Sequence, residues 1–412
     1  MSKFEVVEIC AGAGGQALGL EKAGFEHALA VELDGNACNT LRANRSTWKV
    51  AEGDVADQSV WHPADYSEVS LLAGGVPCPP FSIAGKQLGA NDERDLFAWA
   101  VEQVSVVQPR ALLLENVRGL SMPRFAGYRQ HVLDRLAELG YVAEWQLLQA
   151  SDFGVPQLRP RFILVALKPE DAPYFHWPTH VGEPPTVGET LLDLMGSNGW
   201  PGAKAWAKQA NKIAPTIVGG SKKHGGADLG PTRAKRAWAE MGVDALGIAD
   251  AAPSNIDTFA VGPKLTCEMV ARIQGWSDEY QWEFTGRKTS CYRQIGNAFP
   301  PPVARTVGDA IIDAFQHKGD PRKLETSDHD PVYKALRSSH DFTTPERLMK
   351  AAQISDCAEF ERRIGLLSRD FEIEIKIRGN KSYYKLGSFK AFVGQDNHDR
   401  HDLFLKRRAL IS

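Results

Sequence analysis

The chain has 412 residues, of which 43% are hydrophobic; 48 are basic and 51 acidic, for a net charge of −3. A chain of that length can bury the cores of two or three domains. Its near-balanced charge excludes a globally basic nucleic-acid binder, and its composition excludes a disordered chain. No run approaches the ~18 apolar residues needed to span a bilayer, so no membrane partner is expected. Six cysteines (Cys10, Cys38, Cys78, Cys267, Cys291, Cys357) lack C-x-x-C spacing, which argues against a zinc site and a disulfide framework; no metal is expected. The first residues lead straight into a strand pattern without a signal-peptide core, so the expected compartment is the cytoplasm.

In chain order, residues 4–10 predict a strand, Ala11-Gly12-Ala13-Gly14-Gly15 a tight turn, and residues 16–23 a helix ended by Gly24. A second strand over 28–31 ends at the acidic Glu32-Leu33-Asp34. A helix near 36–43 and a short strand before Asp54 repeat the pattern. Ser70 to Ala73 reads as a buried strand broken by Gly74-Gly75. The prolines of Pro77-Cys78-Pro79-Pro80 then hold the next turn in one shape. A helix over 96–107 precedes a strand at 111–114 that ends in Glu115-Asn116-Val117. A helix over 128–139 and strands near 142–149 and 162–167 complete the alternation. Strands alternating with helices predict a mostly parallel sheet with helices on both faces.

From 173 to 262 the chain is rich in Pro and Gly and carries Trp177, Trp200, Trp206 and Trp238, which reads as a separate irregular domain. Residues 200–240 hold eight Lys/Arg (Lys204, Lys208, Lys212, Lys222, Lys223, Arg233, Lys235, Arg236) against Asp228 and Glu240, a local net of +6. That segment is either a phosphate footprint or a solvated surface. Helix signals return at 266–274 and 303–315. The segment 321–412 looks appended: a helix over 344–367, a strand over 371–377, a turn and a partner strand through 383–393, with a net charge of +4. The domains are therefore expected at 1–172, 173–262, 263–320 (a return to the first) and 321–412.

Four constellations can carry chemistry. The glycine turn Gly12 to Gly15, followed by Glu32 at the end of the next strand, suits a nucleoside cofactor whose tail carries a carboxylate, and equally a structural turn. Cys78, at the carboxyl edge of a strand, is either a nucleophile or a small buried apolar residue. Glu115 is either a hydrogen-bonding acid facing a heteroaromatic ring, or a helix N-cap or salt-bridge partner. Arg159 and Arg161, spaced i, i+2, bind a phosphate, carbonyl or carboxylate, or simply lie at the surface. Gln294-Ile-Gly296-Asn297 reads by itself only as a loop.

Taken together and in order, the Ala11–Gly15 turn, Pro77-Cys78, Glu115-Asn116-Val117, Gln157-x-Arg159-x-Arg161, Gln274-Gly275-Trp276 and Gln294-x-Gly296-Asn297 resemble the DNA cytosine-5 methyltransferase family over residues 4–318. The resemblance is to enzymes of prokaryotic restriction-modification type. It implies an α/β fold: a Rossmann-like S-adenosylmethionine-dependent methyltransferase domain with a smaller irregular target-recognition domain. The α+β extension at the C-terminus lies past the family's last motif.

The resemblance also implies roles. Cys78 adds to C6 of a flipped cytosine, Glu115 binds N3 and the exocyclic amine, Arg161 holds O2, and Arg159 or Arg161 favours the thiolate. Cys10, Gly12, Gly14, Gly15, Glu32, Asp54, Pro77 and Asn297 line S-adenosyl-L-methionine, with Glu32 on the ribose and Asp54 by the adenine. Double-stranded DNA is the implied partner, and a restriction endonuclease belongs to the same system without a stable complex. The family often has an aromatic residue in place of Cys10 and a serine in place of Ala298. An RNA-directed enzyme and a catalytically silent DNA-binding regulator are the alternatives. The first predicts a smaller recognition region, the second the loss of Cys78, Glu115 or an arginine.

Overall fold

The computed structural model describes residues 4–76, 96–219, 227–324, 329–379 and 381–390. Pro77 and Cys78, and all but the first residue of the Gly219–Gly226 run, lie outside the described residues.

The described strands of the main body form one sheet in the order β3-β2-β1-β4-β5-β7-β6. In chain order these are β1 (Phe4–Ile9), β2 (Phe25–Glu32), β3 (Val50–Glu52), β4 (Leu71–Gly75), β5 (Ala111–Val117), β6 (Val142–Gln149) and β7 (Pro160–Leu167). The first five in spatial order are parallel, and β7 runs antiparallel to both neighbours. Gly74 and Gly75 continue β4, contrary to the break predicted there, because Gly74 pairs with Leu114 and Gly75 with Glu115. Pairing with a central neighbour on each side outweighs the weak strand preference of glycine.

Alternation along the strands sends side chains to two cores. Val6, Leu71, Ala73, Leu113, Ile163 and Val165 meet α1 (Gly15–Ala23) and α10 (Pro301–Phe315) on one face. Val7, Ile9, Leu72, Leu112, Leu114 and Leu164 meet α3 (Leu96–Val107) and α4 (Ala126–Glu138) on the other. α2 (Gly35–Asn44) follows β2, capped by Asp34, which accepts from the N–H groups of Asn36 and Ala37.

A third core joins α5 (Val187–Gly196), α6 (Ala203–Gln209) and α7 (Thr232–Glu240) to α8 (Cys267–Ile273) and α9 (Lys288–Asn297). Its packing therefore runs across residue 262. Trp206 and Trp238, two of the tryptophans in the region expected to form the target-recognition domain, are 4% and 0% exposed within this core and so do not face DNA. Large aromatic rings bury the most area per residue, which suits a region with few regular elements. Lys204, Lys208, Arg233 and Arg236 stay exposed, whereas Lys235 pairs with Asp228 at 2.7 Å.

The C-terminal segment builds a fourth core from α11 (Pro331–Ser339), α12 (Pro345–Ala351), α13 (Cys357–Asp370) and the hairpin β8 (Phe371–Arg378) with β9 (Lys381–Phe389). The single helix predicted over 344–367 is two helices, because the second starts afresh at an Asp356 cap. This segment docks on α4. Arg124 pairs with Asp370 at 2.8 Å, His131 Nδ1 meets the Tyr333 hydroxyl at 3.1 Å, and the Phe389 ring lies 4.2 Å from that of His131.

Candidate active site

The carboxyl ends of β1, β2, β4 and β5 converge on one edge of the sheet, where open α/β sheets bind ligands. The antiparallel setting of β7 adds to it, since the start of β7 lies against the end of β5: Arg161 pairs with Val117. Glu115, two residues before Val117, projects to the same face. Arg161 Nε lies 2.5 Å from Glu115 Oε1, and both residues are 8% exposed. Burial pushes the Glu115 carboxyl above its usual range, against the opposing pull of Arg161 and then Arg159.

Arg159 lies 1% exposed and takes a different part. Its Nη1 donates to the Ile217 carbonyl at 2.6 Å, and its Nη2 donates to those of Gly296 (2.7 Å) and Ala298 (2.9 Å). Gln157 Nε2 donates to Gln274 Oε1 at 2.6 Å and Gln157 Oε1 accepts from Ile217 N at 2.9 Å, while Gln274 Nε2 donates to the Ile295 carbonyl at 2.8 Å. The Gln157 and Arg159 side chains thus tie the segment before β7 to α8, α9 and residue 217. Arg161, next on the same side of the extended chain, faces the carboxylate. Sequence reading did not foresee the buckle made by Gln157 and Gln274; two glutamines at fixed places in the motif order were its only signal.

At the glycine turn, Gly14 caps α1 in the left-handed region (φ 89), and a side chain there would lie 2.6 Å from Trp282. A side chain at Gly15 would lie 2.3 Å from the Phe299 carbonyl. Packing by the protein itself therefore demands these two glycines. Trp282, which the sequence did not single out, closes over the turn and donates from Nε1 to the Ala13 carbonyl at 3.1 Å. At Gly12 (φ 57) a side chain would meet no atom of the described residues within 4 Å. Cys10, at φ 52, turns the chain out of β1.

Glu32 Oε2 accepts from Gly12 N at 2.7 Å and its Oε1 from Asp34 N at 2.8 Å. Burial raises its pKa, while these bonds act in the opposite direction. Asp54 follows β3 and accepts from Ala56 N at 2.9 Å. Asn297 is the last residue of α9, exposed, with its carboxamide against Gly219. Gln294 to Asn297 is helical, where the sequence suggested a loop. Cys10, Gly12, Glu32, Glu115 and Arg161 thus share the sheet's carboxyl edge, and Arg159 is set behind it.

Residues 4–313 match the family model described as C-5 cytosine-specific DNA methylase. The chain is 67% identical to the Type II methyltransferase M.NaeI of Lentzea aerocolonigenes, with 100% of each chain covered. It is 51% identical to the Type II methyltransferase M.NgoMIV of Neisseria gonorrhoeae, over 76% of this chain and 99% of the relative. Among solved structures, a DNMT2 mutant from Spodoptera frugiperda covers 76% of this chain and 99% of its own, at 18% identity and a TM-score of 0.52, a likeness of fold. By the family match over residues 4–313 and the identities to these relatives, this chain belongs to the C-5 cytosine-specific DNA methylase family.

Proposed function

We propose that the protein transfers a methyl group from S-adenosyl-L-methionine to C5 of a cytosine flipped out of a specific double-stranded DNA sequence, through a covalent bond between Cys78 and C6. The observation that carries this reading is the buried Glu115–Arg161 pair at the end of β5, beside β4, which Cys78 follows by three residues in the sequence. The space at Gly12 that no described residue fills, the acid Glu32 at the end of β2 and Asp54 after β3 suit the cofactor's methionine, ribose and adenine parts; Cys10, Gly14, Gly15, Pro77 and Asn297 complete the proposed contacts. When bound, the cofactor supplies an electrophilic methyl group on a sulfonium.

The protein's residues do the rest. A flipped base costs a few kcal/mol of stacking and pairing, which contacts in the pocket offset. The Cys78 thiolate adds to C6, and C5 becomes an enamine carbon able to take the methyl group. Glu115, whose carboxyl burial pushes toward the protonated form, donates a proton to N3 and accepts from the exocyclic amine, which stabilises the charge developing on the ring. Arg161 orients Glu115 and offers its guanidinium to O2 of the base. Arg159 acts as a positioning residue through the three carbonyls it holds. Loss of the C5 proton and of the sulfur restores the aromatic ring and the free thiol. The exposed Lys204, Lys208, Arg233 and Arg236 face DNA phosphates, and the biology is protection of bacterial DNA from a companion endonuclease in the cytoplasm.

Labelled methyl transfer to unmethylated duplex DNA, compared with RNA, tests the reading; label on RNA alone, or on no cytosine C5, refutes it. Bisulfite sequencing of the product gives the recognition sequence. Cys78→Ala abolishes transfer and leaves cofactor affinity within about 2-fold, and turnover near wild type removes Cys78 as the nucleophile.

A further inference from the structure

Gln16, the second residue of α1, is 3% exposed, yet neither its Nε2 nor its Oε1 has a hydrogen-bond partner among the described residues. An unpaired buried carboxamide is costly, and a leucine would fill the same helix position without that cost. Its surroundings show where it is aimed. A side chain built on Gly75 would lie 3.6 Å from Glu115 Oε2, 3.9 Å from the Cys10 carbonyl oxygen and 4.0 Å from Gln16 Oε1. Three oxygens from β5, the β1 turn and α1 therefore ring one spot, which no side chain of residue 75 fills and which no other described residue is shown to occupy. Glu115 Oε1 is engaged by Arg161, so Oε2 is the oxygen turned toward this spot. Converging acceptors repel one another unless a donor stands between them. Resting on the function proposed above, we propose that Gln16 is a further ligand-binding residue of the site, which with Glu115 accepts hydrogen bonds from an N–H-bearing group: the exocyclic amine of the target cytosine or the ammonium of the cofactor's methionine tail.

Two full-length variants test this, Gln16→Leu and Gly75→Ala, the second because its added methyl meets only ordinary contacts yet fills the spot. Each is measured for Tm, for calorimetric affinity toward S-adenosylhomocysteine, which carries the same ammonium, and for affinity toward duplexes with cytosine or 2-pyrimidinone at the methylated position. The latter base lacks the exocyclic amine. Gln16→Leu is expected to keep or raise Tm and to lose about 10-fold in a single arm. A loss toward S-adenosylhomocysteine identifies the ammonium, whereas a loss toward the cytosine duplex that spares the 2-pyrimidinone duplex identifies the amine. Gly75→Ala loses affinity in the same arm. Unchanged affinities in both arms, or an equal loss on both duplexes with a lowered Tm, overturn the proposal. If the wild-type protein transfers no methyl group to cytosine, the functional reading fails separately, and the S-adenosylhomocysteine titration still decides the role of Gln16.

Discussion

Glu115 and the two arginines beside it separate three ways in which a charged side chain serves one site. Glu115→Gln keeps the shape and an N–H donor but cannot exchange a proton with N3. Single-turnover methyl transfer at saturating cofactor is expected to fall by at least about 100-fold. In the wild type the rate falls as pH rises through the raised pKa of Glu115, and that limb is absent from the variant. Arg161→Leu leaves a buried carboxylate without its counter-charge and costs about 3 kcal/mol of stability at pH 8, less at pH 5, where protonation removes the charge. Arg159→Met removes donors from two buried carbonyls and a partly buried one, for about 3 kcal/mol at either pH. Urea titrations at the two pH values distinguish the arginines; equal pH dependence contradicts the assignment. The sequence showed both arginines on one side of an extended segment. That one meets a carboxylate and the other three carbonyls depends on residues 217, 296 and 298, which lie far along the chain.

At the scale of elements, α4 holds a titratable contact with the C-terminal segment. Burial first, then Arg337 and Arg135, push the His131 pKa down to about 4 from a usual 6.5, and its ring sits among Tyr333, Phe371 and Phe389. The unfolded chain therefore binds a proton that the folded one refuses between those values. The resulting stability is full above pH 6.5 and declines as pH falls toward 4, with an upper limit of about 3 kcal/mol. Thermal unfolding at pH 5 and 7.5 should show this loss, and His131→Phe should flatten it; an unchanged pH response shows that His131 does not set it. Elements with strong local patterns, such as α3 and β6, were legible from periodicity. The continuation of β4 through Gly74 and Gly75, and the division of 344–367 into two helices, were not, since strand pairing and a cap decided them.

For the whole molecule, the family match ends at residue 313 while the fourth core begins at α11. Residues 321–324 still belong to the main body, because Arg322 Nε donates to the Phe175 carbonyl at 2.6 Å and Leu324 packs on the sheet core. Truncation after Leu324 uncovers Tyr128, Gly127 and His131 on α4, so it should lower Tm by several degrees and promote aggregation while single-turnover transfer persists. Loss of transfer in soluble, folded truncated protein would assign the segment a part in the reaction itself. The sequence by itself determined the alternation of strands and helices, the acid after the glycine turn and the order of the motifs, because period and composition are local properties of a chain. Only the tertiary structure decided that β7 turns antiparallel and brings Arg161 to the carboxyl end of β5. It likewise decided that Trp206 and Trp238 are core residues and that Gln16 faces the same spot as Glu115, because each depends on which distant segment packs alongside.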